Sequence, residues 1–357
     1  MSLPTYNIRE SYDWNYENAP AQPPEIDVPP YSGVWDFCGI PVNSPLGMPA
    51  GPILNSQWVL YYAALGFDVL VYKTVRSRYR ACYDLPNLLP VRAALLAKEG
   101  SVVEADREAS EIHTWAISFG MPSKEPAVWT KDVERARRGL GSGQALVVSV
   151  VASPEADWTM DRLADDFAQC AVWAAEAGAD AIEANLSCPN VCTQETDLYL
   201  SPEAAGQISA TIRSRVPGLP LVLKIGLFPD PETMEAVVAA ASPYATALSS
   251  VNSITAFVRD EFGGLRRGVG GAAITGRCLR ETAMLAEVIR RKGSPLRLIS
   301  VGGVMNAGDV AARLDAGAHH VQLATAPMLD PMAGIKIRGA LYQASVAVRG
   351  SSSGFGR

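Results

Sequence analysis

Eight short apolar runs, most of them followed by a helix-compatible segment, constrain this chain more than any other feature. The runs are Pro45–Ala50, Val69–Thr74, Ala145–Val151, Ala181–Ser187, Leu221–Gly226, Ala247–Ser253, Leu296–Gly302 and His319–Ala324. Between several of them lie the amphipathic stretches Met160–Ala177, Pro202–Arg215, Pro231–Ala241 and Arg280–Lys292. Short apolar runs read as strands buried on both faces, and the longer stretches with helical spacing read as helices. Eight strands in β-α alternation make this an α/β chain and favour a (β/α)8 TIM barrel over a doubly wound sheet. The 357 residues are more than a typical single domain needs but within the range of one such barrel. Polar or small residues gather where the runs end, at Lys73-Thr74, Asn185, Lys224, Asn252-Ser253, Gly302-Gly303 and Thr325. In such barrels the C-terminal end of the strands carries the site.

Residues 1–38 read as a Pro-rich N-terminal arm and 39–345 as the barrel. Residues 346–357 read as a disordered tail, because Ser351–Arg357 is rich in Gly and Ser. Within the barrel, the connection 75–144 after the second strand is too long for one βα unit. It holds a further apolar run, Trp115–Phe119, then Gly120-Met121-Pro122. A long insertion at that end is expected to be a lid or subdomain rather than a linker.

Composition narrows the class of protein. A hydrophobic fraction of 48% and a charged fraction of 19% suit a globular chain with a large core. The net charge of −6 and the lack of a run able to neutralise many phosphates argue against nucleic acid as partner. No apolar stretch approaches the roughly 20 residues that span a bilayer, and the N-terminal residues resemble neither a secretory signal nor a membrane-binding helix. Six cysteines, Cys38, Cys82, Cys170, Cys188, Cys192 and Cys278, have no paired spacing. They read as free thiols in a reducing cytoplasm, with no cluster for a metal or an iron–sulfur chain. With three histidines in all, His113 and the pair His319-His320 read as structural or solvated.

The fourth run ends in Asn185-Leu186-Ser187-Cys188-Pro189-Asn190, which packs two amides, a hydroxyl and a thiol into six positions. Pro189 fixes φ and removes a donor, so the thiol and the second amide sit in a defined turn. Cys188 is either a small buried hydrophobe or, in this polar niche, a base. Lys73 and Lys224 stand inside apolar runs, where an ammonium is costly without a counter-group. One of them can pair with a buried carboxylate such as Glu183; both together fit one anionic ligand. Gly302-Gly303 ends the seventh run and Ala324-Thr325 the eighth, the two loops between which barrels frequently hold a phosphate. A glycine pair also serves as a plain tight turn. Gly268-Val269-Gly270-Gly271 offers further amides but no dinucleotide fingerprint, because no strand is expected before it.

The Asn185–Asn190 motif resembles the signature of the dihydroorotate dehydrogenase family and its dihydropyrimidine dehydrogenase relatives, and the resemblance runs from about Gly39 to Gly339. It is nearest to class 1, since class 2 members place serine where Cys188 stands. The resemblance implies a flavin mononucleotide (FMN) enzyme with Cys188 as general base. It also implies Lys73 in contact with flavin and substrate, and Lys224 beside flavin N1. Asn185, Asn190 and Asn252 would grip a pyrimidine ring, with Ser253 beside them. Ala50, Gly51 and Thr74 would line the flavin; Gly271, Gly302, Gly303, Ala324 and Thr325 would hold its phosphate. Class 1 relatives form dimers, so a homodimer is expected by analogy.

Two departures stand out. The asparagine that family members present to substrate falls on Ile117, which leaves a polar substrate edge unpaired unless Ser118 takes its place. The basic segment Arg76-Ser77-Arg78-Tyr79-Arg80 is either a solvated loop or an anion site. The leading expectation is oxidation of a small dihydropyrimidine, with Cys188 taking a proton and hydride passing to flavin N5. One alternative is the same flavin barrel acting on another cyclic amide in specialised metabolism; another is a non-catalytic flavin-binding barrel. No electron acceptor is readable, and fumarate, oxygen and a partner subunit all remain open.

Overall fold

The structure is a computed structural model that describes residues 3–109, 111–187 and 198–352, with side chains as far as residue 343. Its centre is the expected (β/α)8 barrel. The eight parallel strands are β1 (Leu46–Met48), β2 (Val69–Val75), β3 (Ala145–Val150), β4 (Ala181–Asn185), β5 (Leu221–Lys224), β6 (Ala247–Ser250), β7 (Arg297–Val301) and β8 (His320–Gln322). Each pairs with the next, and β8 closes on β1 through Val321↔Leu46 and Gln322↔Gly47. Every residue of β2 to β6 is buried. That is why they read as unbroken apolar runs: one face fills the barrel and the other meets helices.

Besides the short helices Tyr12–Glu17 and Thr325–Leu329, the described α-helices are α1 (Ser56–Ala64), α2 (Pro126–Gly139), α3 (Met160–Glu176), α4 (Pro202–Arg215), α5 (Pro231–Ala241), α6 (Thr275–Arg291), α7 (Ala307–Asp315) and α8 (Ala333–Ser352). Side-chain caps start several of them: Thr159 accepts from Arg162 N, Ser201 from Ala204 N and Asp230 from Thr233 N, at 3.3, 3.1 and 2.7 Å. Helix α6 begins at Thr275, ahead of the expected Arg280, because Gly276 hides its first turn from the apolar pattern. Helix α8 continues to Ser352, past the residue 346 at which a tail was expected. Its Val346-Ala347-Val348-Arg349 run is compatible with helix, and Gly350, Ser351 and Ser352 continue it.

Val69, Val71, Val147, Val222, Ile299 and Val301 share the barrel interior with Phe37, which is fully buried. Phe37 comes from a hairpin, Trp35–Phe37 with Ile40–Val42, turned through Cys38 and Gly39 at φ 54° and 96°. Burying that ring contributes roughly 1.5–3 kcal/mol. The preceding residues are ordered against α1: Tyr61 Oη donates to Pro4 O at 2.7 Å and Trp58 Nε1 to Asn15 O at 3.1 Å. Tyr6 and Tyr12 meet the Phe119 ring edge-on, 6.0 and 6.3 Å between centroids.

Two excursions leave the barrel. After β2 come strands Leu88–Arg92, Ser101–Ala105 and Thr114–Ile117; after β6 come Ile254–Val258 and Arg267–Gly271. These five close into a second small sheet. Gly268-Val269-Gly270-Gly271 therefore lies inside a strand, antiparallel to Thr114–Ile117, and another strand precedes it. This corrects the expectation that no strand stands before the glycines. Three glycines in five residues have little strand propensity, so pairing with two neighbours imposes the conformation.

Candidate active site

The strand ends and the five-stranded sheet together enclose a cavity of about 820 Å³. Every expected site residue within the described part of the chain lines it. From the barrel come Ala50, Gly51, Lys73, Thr74, Asn185 and Lys224. The loops after β6, β7 and β8 add Asn252, Ser253, Gly302, Gly303, Ala324 and Thr325, and the small sheet adds Ser118 and Gly271. Cys188 and Asn190 lie outside the described residues.

Asn185 ends β4 with its Oδ1 accepting from Ser187 N at 3.2 Å and Ser187 Oγ at 3.1 Å. Ser187 Oγ in turn accepts from Asn252 Nδ2 at 3.0 Å. A hydroxyl thus ties together two amides from different strand ends and fixes their orientation. Ser187 sits within the sequence motif, yet only the fold gives it this linking position.

Register places Lys224 beside Asn185 and Glu183 beside Val222, so Glu183 and Lys224 sit on adjacent strands and both line the cavity. Burial pushes the Glu183 carboxyl up and the Lys224 ammonium down; their mutual attraction opposes both shifts, and Ser149 hydrogen-bonds the carboxyl. Lys224 thus has a buried carboxylate within electrostatic reach, and both lysines line the one cavity. Lys73 is buried on β2, with its backbone N–H donating to Ile53 O at 2.9 Å. Thr74 Oγ1 donates to Ser149 Oγ at 3.0 Å. Gln322 on β8 also lines the cavity, and its buried Oε1 has no hydrogen-bond partner among the described residues.

At the far end, Gly302 and Gly303 adopt φ 96° and 73°, a region that favours glycine. A Cβ on Gly303 would stand 2.5 Å from the backbone nitrogen of Thr275, the first residue of α6. Behind this turn the fully buried Arg313 donates to Gly302 O at 2.8 Å, Thr275 O at 3.0 Å and Ser300 Oγ at 2.8 Å. The carbonyls are drawn away from the cavity, and a helix start and a glycine turn are left close together, the arrangement that suits an anion. Ala324 and Thr325, at the start of the helical turn Thr325–Leu329, face the same space.

The basic segment is solvated in part, at the exposed Arg78 and Tyr79, while its arginines also bind neighbouring loops. Arg76 is buried, with Nε donating to Met121 O at 3.0 Å, a further N–H to Ala152 O, and its backbone N–H to Ser123 Oγ at 3.0 Å. Arg80 Nε donates to Gly120 O at 2.8 Å, and Arg78 pairs with Glu155 at 2.6 Å. These side chains fasten the inserted segment to the loop after β3. Ser118 Oγ accepts from Arg267 Nε at 2.8 Å, and the Ser118 backbone bonds Asn87. Ser118 is thereby committed to holding Arg267, while Ile117 stands in the cavity wall. Arg267 had no signal in the sequence beyond a charge before a glycine.

Four cysteines, Cys38, Cys82, Cys170 and Cys278, are free thiols. Burial pushes Cys38 and Cys278 up to about 12, Cys82 up to about 11, and Cys170 higher still. None of these four is a base near neutrality, and none lines the cavity. Among the described residues, no three His, Cys, Asp or Glu side chains come together as metal ligands, and no helix is long and apolar enough to cross a membrane.

The family model described as dihydroorotate dehydrogenase matches residues 35–343. The chain belongs to the dihydroorotate dehydrogenase family. It is accordingly an oxidoreductase acting on CH–CH bonds. A dihydroorotate dehydrogenase of Dictyostelium discoideum is 33% identical to it over 94% of this chain and 97% of that protein. The catalytic subunit of dihydroorotate dehydrogenase B (NAD(+)) from Solidesulfovibrio magneticus is 31% identical over 50% of this chain and 59% of that protein. Dihydroorotate dehydrogenase A (fumarate) of Limosilactobacillus reuteri is 32% identical over 45% and 52%. Among solved structures, the dihydroorotate dehydrogenase of Eimeria tenella in complex with ferulenol superposes with a TM-score of 0.71 over 89% of this chain and 88% of that one. At 17% identity it supports the barrel fold alone.

Proposed function

We propose that the protein is an FMN-dependent enzyme that oxidises a dihydropyrimidine, with Cys188 as general base. The observation that carries this reading is the convergence on one cavity of two lysines, the Asn185–Ser187–Asn252 chain and the glycine turn at Gly302-Gly303. Its volume is at the upper end of the roughly 300–1,000 Å³ usual for small-molecule sites, which suits a flat cofactor with a small substrate on its face.

The residues fit the cofactor. The glycine turn and the start of Thr325–Leu329 would hold the phosphate, and the unpaired Gln322 Oε1 is an acceptor for a ring N–H. Lys224 would balance negative charge at the ring, and Ala50 and Gly51 would line it. When bound, FMN supplies an acceptor for hydride at N5. The protein's share is orientation and proton handling. Asn185 and Asn252, locked through Ser187, would polarise and align the substrate carbonyls together with Asn190, with Ser253 beside them. Lys73 would touch both flavin and substrate. Cys188 Sγ would take the proton from the carbon next to the one that loses hydride, a contribution of about 10²–10⁴-fold.

The test is Cys188→Ala. It should retain flavin and lose substrate-driven reduction by about that factor; reduction at the wild-type rate removes Cys188 as the base. We place the enzyme in the cytoplasm as a homodimer, by analogy with class 1 relatives. A second reading, the same chemistry on a different cyclic amide, is favoured by Ile117 in the wall of the cavity.

A further inference from the structure

The cavity contains a cation that this proposed mechanism does not use. Arg267 begins the strand Arg267–Gly271, half-buried in the cavity wall. Its guanidinium lies over the Tyr83 ring at 5.7 Å and the Phe262 ring at 5.0 Å, while Nε donates to Ser118 Oγ at 2.8 Å and Nη1 to Arg266 O at 2.9 Å. The fork is therefore fixed in plane and position. No carboxylate pairs with it among the described residues: Glu261 on the same excursion is bound to Arg107 at 2.6 Å, and Glu99 accepts from Thr255 Oγ1 at 3.1 Å. Nη2 has no acceptor among those residues. A partly desolvated guanidinium held rigid and left without an anion is poised to receive one.

Position identifies the anion. Ile117 pairs with Gly268 in the sheet, so Arg267 adjoins the place where the amide expected at 117 is absent. The glycine turn proposed for the cofactor phosphate lies on other elements, after β7. We infer that Arg267 is a specificity-determining residue which binds a carboxylate on the substrate through its exposed Nη edge, with Ser118 holding the fork. This inference rests on the flavin-dependent reading above and assigns recognition of the substrate's carboxylate to a residue particular to this cavity wall, Arg267. Ile117 supplies an apolar wall in place of an amide, and the charge on Arg267 takes over recognition.

The experiment is titration of the flavin-loaded protein with orotate and with uracil, which differ by the carboxylate, following the flavin absorbance. Wild type should bind orotate at least about tenfold more tightly than uracil, and Arg267→Gln should reduce that preference by about 10- to 100-fold. Arg267→Lys, which keeps the charge without the fork, should fall between them. If Arg267→Gln weakens both ligands equally, the residue is structural and the inference is overturned. A wild type that binds uracil as well as orotate overturns it too, while leaving the flavin-dependent reading in place. A wild type that binds neither overturns that reading and this inference with it.

Discussion

His320 offers a prediction whose size follows from its surroundings. It begins β8, is 2% exposed, and packs edge-on against Phe37 and Trp35 at 5.1 and 6.4 Å. Its Nε2 has no hydrogen-bond partner among the described residues. Burial, then the neighbouring His319 and Arg297, push its pKa down from 6.5 to about 4, with Asp36 opposing. The folded chain refuses a proton that the unfolded chain accepts below pH 6.5, so stability is lost as pH falls towards 4. The linkage between pH 8 and pH 5 amounts to about 2 kcal/mol. His320→Phe keeps an aromatic ring and removes the titration. Urea unfolding of both proteins at the two pH values, in excess FMN to hold ligand stabilisation constant, gives a difference of differences. Any fixed cost of the substitution cancels. Wild type should lose about 2 kcal/mol more than the variant on acidification. His319, lowered for the same main reason, leaves a residual slope in the variant. Parallel losses, within about 0.5 kcal/mol of each other, would refute the account of a neutral histidine sealed under the barrel.

Other substitutions test the site and its frame. Arg76→Met strands the Met121 and Ala152 carbonyls and should lower the melting temperature by about 5 °C or more in a thermal scan. An unchanged melting point would return the segment to solvent. Gly303→Ala should lose flavin content, because its φ of 73° and the approach to Thr275 N leave no room for a Cβ. Gly51→Ala has open space around its Cβ, so apoprotein melting should hold while flavin affinity falls if the ring lies there. Lys224→Met should make the potential of the bound flavin more negative by about 30–90 mV, the loss of about 1.4–4 kcal/mol of charge stabilisation. Spectroelectrochemistry reads that shift, and a less negative potential would contradict the role.

The barrel was legible because its strands are buried on both faces: Val69–Val75 and Ala145–Val150 can hardly read as anything else. The polar ends Lys73, Asn185 and Lys224 were legible for the same reason, as charge or amide set against an apolar background. The second sheet was not. Leu88–Arg92 carries Pro90 in its middle, and Arg267–Gly271 is mostly glycine, so both are strands through pairing rather than propensity. Arg76 and Arg267 belong equally to surface loops by sequence; only the carbonyls around one and the rings around the other set them apart. Ser187 could be seen in its motif, but its link to Asn252 joins two strands 65 positions apart. Gln322 gives no hint of its orphaned oxygen until β8 is placed in the wall.

The most direct measurement is anaerobic mixing of the purified flavin-loaded protein with dihydroorotate, and separately with dihydrouracil, while flavin absorbance is followed. The account predicts rapid bleaching by dihydroorotate and slower bleaching by dihydrouracil, which lacks the carboxylate for Arg267. Flavin that stays oxidised with both, yet bleaches at once with dithionite, would contradict a dihydropyrimidine as the substrate of this barrel.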